Sequence, residues 1–172
     1  MKKFLFMALF AIVAVSASAQ KNITIWWGGN VSTVSTSGSS PDNSFKALNV
    51  GVSYTAPIDD QFDWSAGVGY VTKGFKDWSP GFLQFEGNGA WNFVKRDNMK
   101  VNFFTGPYLG FMLDKDHAGD YANTVDFGWQ GGLGATIKCV SAKIGYEYGF
   151  TNIVSDAKSK PGDFFFRVGI TF

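Results

Sequence analysis

The sequence predicts an all-β protein, an eight-stranded antiparallel up-and-down transmembrane β-barrel preceded by a cleaved signal peptide. Apolar and polar residues alternate with a period of two over eight long segments, as in strands with one apolar face. Most segments have ten or more residues, whereas soluble strands most often have about five or six and a tilted membrane strand needs about 9–11. The 21 Gly and 18 Phe, with only 17% charged residues, favour strands and turns over helices.

The first 19 residues have the three parts of a secretory signal peptide. Lys2 and Lys3 form the positive start, Phe4–Val15 is an apolar run, and small residues follow it. At about 1.5 Å per residue, the apolar run is too short for a helix that crosses a hydrocarbon core about 30 Å thick. We therefore expect residues 1–19 to be removed during export through the Sec pathway, and residues 20–172 to form one barrel domain.

The predicted strands follow one another along the exported chain. From first to last they are Asn22–Val31, Phe45–Ala56, Gln61–Gly74, Gly81–Val94, Met99–Leu113, Val125–Lys138, Ser141–Phe150 and Phe164–Phe172. The connections alternate between long polar segments rich in Gly, Ser, Pro and Asp and tight turns. Long loops at one end and short turns at the other are typical of outer-membrane barrels. The even strand number then places both termini with the short turns, on the periplasmic side.

The two faces of each strand differ in the same way. In the last strand the residues on one face are Phe166, Val168 and Ile170, and those on the other are Arg167 and Gly169. A soluble lipocalin-type barrel, with its apolar face inward, has the same periodicity, so the alternation by itself leaves both architectures open. The polar face is half glycine, however, which suits the narrow interior of an eight-stranded barrel better than a solvated surface.

Aromatic residues near the strand ends are predicted to form the two interfacial belts of a membrane barrel. Those assigned to the periplasmic end are Phe62, Trp64, Trp91, Phe93 and Phe172, and those assigned to the outer end are Phe75, Phe82, Phe111, Phe127, Phe150 and Phe164. The adjacent Trp26 and Trp27 break the pattern, because successive side chains of a strand point to opposite faces.

Three segments and the chain end resemble a known family. They are "FTGPYLGFML" (Phe104–Leu113), "DFGWQGGLGA" (Asp126–Ala135), "KIGYEYGFTNI" (Lys143–Ile153) and the terminal strand that ends in Phe172. These segments are similar to the small outer-membrane β-barrel family, often described as porin-family or OmpA/OmpX-like. The resemblance implies an outer-membrane protein of a Gram-negative bacterium, in contact with lipid and lipopolysaccharide. It implies little about activity, because a fold does not supply a function.

The same resemblance implies an assembly signal at the chain end. In this family the barrel-assembly machinery inserts the protein and reads its C-terminal strand and final aromatic residue. Phe172, with Ile170 and Phe166 on the same face, would form that signal here.

Charged residues on the predicted inward faces are the candidate functional site. This lumen charge network comprises Glu86, Asp126, Lys143, Glu147 and Arg167. Glu147 and Arg167 belong to neighbouring strands, so we expect them to pair across the last hairpin. Charges in a narrow, nearly dry lumen must be paired. The favoured hypothesis is a plug of ion pairs, and the alternative is a gate or proton path.

The sequence contains no complete motif for a catalytic site or a metal-binding site. The one histidine, His117, lies in the loop "DKDHAGD", and the sequence has no G-x-S-x-G segment, so we expect no enzyme and no catalytic residue. Asp114, Asp116 and Asp120 of this loop resemble a calcium-binding loop only in part, because Ala118 stands where a ligand is needed. A solvated acidic loop is the favoured interpretation, with no metal and no cofactor.

Charge and cysteine content narrow the function further. With 15 Lys and Arg against 14 Asp and Glu, the chain lacks the basic surplus of a nucleic-acid-binding protein. Cys139 is the only cysteine, so no intramolecular disulfide forms. We expect a monomeric outer-membrane barrel with a structural or surface-interaction role and a lumen plugged by charged side chains. A narrow-pore porin-like channel, a soluble lipocalin-like binding barrel and an extracellular ligand at the loops stay open.

Overall fold

The computed structural model of the chain describes residues 22–35, 42–73, 80–113, 124–151 and 160–172. In these ranges it contains strands and turns, and no helix that is long and apolar enough to cross a membrane. Several sequence predictions lie outside the described residues: the signal peptide of residues 1–19, the belt position of Phe75, and the acidic loop with Asp114, Asp116, His117, Ala118 and Asp120.

Eight strands form the structure, and the predicted barrel architecture is confirmed. They are β1 (Ile23–Ser35), β2 (Asp42–Pro57), β3 (Phe62–Thr72), β4 (Gly81–Arg96), β5 (Met99–Met112), β6 (Val125–Ile137), β7 (Val140–Gly149) and β8 (Lys160–Thr171). Each strand pairs with its sequence neighbours in antiparallel register, and β1 also pairs with β8. The sheet is therefore closed, so that it has no unpaired edge.

The two ends of the barrel differ in their connections. Three tight turns, at residues 58–61, 97–98 and 138–139, lie together at one end, which we call the turn end. Four longer connections lie at the other end, which we call the loop end. In the two-residue turn between β6 and β7, Lys138 has a φ of 56°, in the left-handed region that such turns require. Among the described non-glycine residues, Lys138 is the one with a positive φ.

Large apolar side chains cover the outside of the barrel, and the inside is mostly polar. Exposed examples on successive strands are Trp27, Leu48, Trp64, Phe85, Phe103, Leu133, Ile144 and Val168. The buried set consists mainly of Ser, Asn, Gln, Asp, Glu, Lys and Arg side chains. A lipocalin-like soluble barrel needs its apolar face inside, so this distribution excludes that alternative.

Phe82 is the described aromatic residue that departs from the predicted belts. It is only 1% exposed and lies inside the lumen, so its assignment to the outer belt was wrong. Side chains along a strand point alternately inward and outward. Phe82 lies two and four residues before Gln84 and Glu86 on β4, which point inward, so it points inward as well. Alternation also separates the tryptophan pair: Trp26 is buried, whereas Trp27 is 52% exposed. The other described belt residues are all exposed.

Candidate functional site in the barrel lumen

The inward faces of four strands bring charged side chains together in the loop-end half of the lumen. Strand alternation turns Glu86 on β4, Asp126 on β6, Glu147 on β7 and Arg167 on β8 toward the inside, where all four are buried. Glycines and a few aromatic rings occupy the neighbouring inward positions. These four residues belong to the network predicted from the sequence.

Arg167 joins two of the predicted carboxylates. Its Nη1 donates to Glu86 Oε2 at 2.6 Å, and its Nη2 donates to Glu147 Oε1 at 3.3 Å. The guanidinium also lies over two rings, 4.3 Å from the centre of Trp26 and 4.5 Å from that of Phe165. Arg167 is therefore fixed by ion pairs to two strands and by cation–π contacts with two rings.

Lys73, which the predicted network omitted, forms a second centre of ion pairs. It directly follows β3, and its Nζ lies 2.9 Å from Asp126 Oδ2, 2.8 Å from Glu147 Oε2 and 3.9 Å from Asp163 Oδ2. The ammonium also lies 4.0 Å from the centre of the Tyr108 ring. All of these groups are buried.

Two sequence features explain why Lys73 and Asp163 were missed. Lys73 lies within the predicted strand Gln61–Gly74 and shares the inward face with Asp63 and Ser65, but it stands near the end of that strand and was left out of the network. Asp163 was placed in a loop, because the predicted strand began at Phe164, whereas β8 begins at Lys160. The alternation of inward and outward positions along the strand was by itself sufficient to predict that Lys73 faces the lumen.

We call the six residues Lys73, Glu86, Asp126, Glu147, Asp163 and Arg167 the ion-pair cluster. Two buried amides fill the spaces between its members. Gln84 Nε2 donates to Glu147 Oε1 at 2.9 Å, and Gln130 Nε2 donates to Glu86 Oε2 at 3.2 Å. Buried charges are stable only when they are paired and hydrogen-bonded, so the cluster acts as a single connected unit.

Lys143 faces the lumen but does not join the ion-pair cluster. It lies directly opposite Arg167 in the β7–β8 ladder, and its Nζ is 5.2 Å from the centre of the Phe104 ring. It has no hydrogen bond or ion pair with any described residue. The predicted network therefore divides in two: four of its five residues meet, and Lys143 stands apart.

The turn-end half of the lumen contains a cavity of about 610 Å³. Its walls carry many small hydroxyl side chains: Thr24, Ser53, Thr55, Ser65, Thr136 and Ser141. Lys100 also lines it and donates from Nζ to Asp63 Oδ2 at 2.7 Å. Side chains do not fill this half of the lumen, because short side chains on eight strands do not reach the barrel axis.

The described residues offer no group of three or more His, Cys, Asp or Glu side chains arranged to hold a metal ion. The carboxylates that lie closest together, those of Asp126, Glu147 and Asp163, surround the ammonium of Lys73 instead. Their negative charge is directed at a protein cation, as expected of a structural cluster.

No protein-family model and no curated protein sequence matches the chain. Solved structures match it over most of its length. Neisserial surface protein A is 14% identical with a TM-score of 0.56, and the match covers 87% of this chain and 97% of that one. The N-terminal β-barrel domain of Pseudomonas aeruginosa OprF is 11% identical with a TM-score of 0.51, covering 89% and 98%.

The outer membrane enzyme PagL is 12% identical with a TM-score of 0.50, and the match covers 84% of this chain and 99% of that one. At such low identities the likeness concerns the fold alone. This chain has the fold of the small outer-membrane β-barrels, as the resemblance in its sequence implied.

Proposed function

We propose that this protein is an integral outer-membrane barrel with a structural or surface-interaction role, whose lumen is closed to solutes by the ion-pair cluster. One observation supports this closure: the ion-pair cluster extends across the lumen. Lys73, after β3, contacts Asp126 on β6 and Glu147 on β7, and Arg167 on β8 contacts Glu86 on β4. In a ring of eight strands β4 and β8 lie on opposite sides, so these pairs block the passage.

The outer surface supports the membrane location. Large apolar side chains are exposed on every strand, far beyond the patches that soluble monomers expose to water. In a bilayer the same surface contacts lipid, and the backbone of each strand is hydrogen-bonded to two neighbouring strands around the closed barrel. The turn end would face the periplasm and the loop end the outside, as in other barrels with short periplasmic turns.

Cell fractionation tests the membrane location. We expect the protein in the membrane fraction, insoluble in sarkosyl, with a gel mobility that shifts on boiling because the closed barrel resists detergent. A protein recovered without detergent and unshifted by boiling would contradict the proposal.

Conductance in planar bilayers tests the closure separately. The purified barrel should show little or no current, because the ion-pair cluster spans its lumen. Stable openings on the nanosiemens scale would instead favour the narrow-pore, porin-like alternative.

The end of the chain supports a route of assembly. Phe166, Ile170 and Phe172 lie on the lipid-facing side of β8 and its end, and β8 pairs with β1 to close the barrel. We infer that they form the signal for the barrel-assembly machinery after export through the Sec pathway. Deleting Phe172 should lower the amount of inserted protein more than the stability of the barrel that does insert. Equal surface levels for the truncated and full chains would count against this role.

The surface-interaction role concerns the loop end, where the long polar connections lie. Shortening the connection at residues 156–159, before β8 begins at Lys160, should abolish binding to an extracellular partner and leave the heat-induced gel shift intact. The similar fold of PagL, an enzyme by name, gives no activity to this chain, because unrelated functions share one fold. If His117→Ala abolished a lipid or peptide turnover, an enzymatic role would replace the proposal.

A further inference from the structure

The turn-end cavity carries more positive than negative side chains. Arg167, Lys100 and Lys143 line its walls, and Arg96 and Lys138 lie at its mouth, against the two acidic side chains of Asp63 and Asp97. Most of the inner charges are already neutralised. Asp63 pairs with Lys100, and Arg167 is held by two glutamates of the ion-pair cluster.

Lys143 is the inner cation that forms no ion pair at contact distance with a described residue, and Glu86 acts on its charge only from farther away. Its direct neighbour across the β7–β8 ladder is Arg167, which has the same charge. Like charges directly opposite in a ladder repel each other. Arg167 is compensated by Glu86 and Glu147, whereas Lys143 contacts the face of Phe104. A cation held away from bulk water without a partner is costly, and an anion beside it would remove that cost.

Unpartnered amides lie in the same row of the sheet. Asn102 on β5 is opposite Gly134 on β6, and Gly134 is opposite Lys143 on β7. Asn92 is the next residue in this row, opposite Asn102. Asn102 Oδ1 and both polar side-chain atoms of Asn92 are buried without a hydrogen-bond partner. Because Gly134 has no side chain, the amide of Asn102 lies over it, and a Cβ atom at Gly134 would be only 2.6 Å from Asn102 Oδ1.

We propose that the turn-end cavity binds a small hydroxylated anion, a solute with a phosphate or carboxylate group, with Lys143 as the residue that contacts the anionic group. Asn102 also lines the cavity, and its unpartnered Oδ1 is placed to accept a hydrogen bond from a hydroxyl group of the solute. The hydroxyl side chains along the wall, such as Ser53, Ser65 and Ser141, suit the hydroxyl groups of the solute. The cavity of about 610 Å³ has room for more than a single phosphate or carboxylate group.

The position of the mouth determines how the ligand enters. Residues of the two turns at 97–98 and 138–139 line the mouth, together with Phe172. On the opposite side, the inner end of the cavity is bounded by the apolar cluster of Ala90, Phe104 and Phe165 and by Arg167 of the ion-pair cluster. The ligand therefore enters from the turn end. That this is the periplasmic side rests on the proposed function, but binding to the cavity does not.

Calorimetric titration of the full barrel in zwitterionic micelles, at constant ionic strength, tests the site. The probes are glycerol 3-phosphate for the phosphate class and gluconate for the carboxylate class. We expect saturable binding of at least one probe to the wild type, weakened about tenfold or more in Lys143→Met, because a charge-assisted contact is lost. Lys143→Arg keeps the charge and should retain binding within about threefold.

Lys95→Met is the matched control. Lys95 is exposed, donates from Nζ to the backbone oxygen of Asp60 at 3.0 Å, and does not line the cavity. The affinity of the Lys95→Met variant for the probe should stay within about twofold of that of the wild type. The boiling-dependent gel shift shows for the wild type and for each variant whether the barrel is folded. A folded wild-type barrel that binds neither probe therefore contradicts the proposed site and leaves the proposed fold and membrane location intact.

Acetylation of the wild type gives a measurement that needs no variant. A saturating probe should protect Lys143, but not Lys95, from acetic anhydride when the modified lysines are identified by mass spectrometry. Saturable heat from neither probe, unchanged affinity in Lys143→Met, or equal protection of both lysines would each overturn the proposal.

Discussion

The loop-end and turn-end halves of the lumen handle their charged residues in opposite ways. In the loop-end half, Lys73 lies within 3 Å of two carboxylate oxygens, 2.9 Å from that of Asp126 and 2.8 Å from that of Glu147. In the turn-end half, Lys143 lies beside a cavity, and its neighbour across the ladder is the cation Arg167. The same sheet encloses both halves, so the difference comes from the side chains and not from the strand number.

Side-chain length explains the difference. Inward positions in the loop-end half carry long groups such as Gln84, Gln130 and Tyr108, which reach across the lumen and contact one another. Inward positions in the turn-end half carry short groups such as Ser65 and Ser141, which stop near the wall. An eight-stranded barrel can be filled by side chains, but only where they are long enough.

The largest effect should follow from replacing the lysine at the centre of the ion-pair cluster. Lys73→Met leaves Asp126 and Glu147 buried with fewer compensating charges, so we expect a loss of about 3–5 kcal/mol in the free energy of unfolding. Urea unfolding in detergent micelles, followed by tryptophan fluorescence, measures it.

Lys100→Met is the matched change in the turn-end half. Lys100 is 32% exposed, and its partner Asp63 borders the cavity. Because Asp63 is only 1% exposed, its carboxylate is left buried without this partner, and we expect a loss of about 1–3 kcal/mol, smaller than at Lys73, which compensates two carboxylates. If Lys73→Met and Lys100→Met lowered the free energy of unfolding equally, the two halves would not differ in how strongly their charged residues depend on ion pairs.

An intermediate effect is expected at the apolar cluster of Ala90, Phe104 and Phe165, which separates the halves. Phe104→Ala enlarges the cavity and removes packing against Phe165, whose ring centre is 6.2 Å away. We expect a loss of about 3 kcal/mol. Phe104→Leu keeps most of the volume and should lose less than about 1.5 kcal/mol. If the alanine variant matched the leucine variant in urea unfolding, Phe104 would not be a packed boundary.

The smallest effect is expected at the turn end, away from the lumen's interior. Lys138 has a φ of 56°, a conformation that asparagine adopts more readily than lysine. Lys138→Asn should raise the free energy of unfolding by less than about 1 kcal/mol, because it relieves backbone strain in a two-residue turn. Lys138→Ala is the control, since alanine lacks the polar side chain that favours this conformation. A gain of the same size in the alanine variant would show that loss of charge is the cause.

Alternation in the sequence was sufficient for the eight strands and for the two faces of most of them. It also identified Glu147 and Arg167 as partners, because they occupy inward positions on neighbouring strands. It was insufficient at strand ends. The segment Lys160–Asp163 contains Pro161 and Gly162, so it resembled a loop, although it is the start of β8. Phe82 was assigned by its position near a strand end, and the parity that places it inside was overlooked.

The sequence by itself determined the class of fold and, away from the strand ends, the side of the sheet on which the charged residues lie, because both depend on a period of two along one strand. Only the tertiary structure decided which charges meet. Lys73 and Glu147 stand on strands that are not neighbours, and their contact depends on the closure and stagger of the whole barrel. The same stagger places Lys143 beside Arg167 and the cavity. Lys143 therefore forms no ion pair with the carboxylates of the network that the sequence predicted.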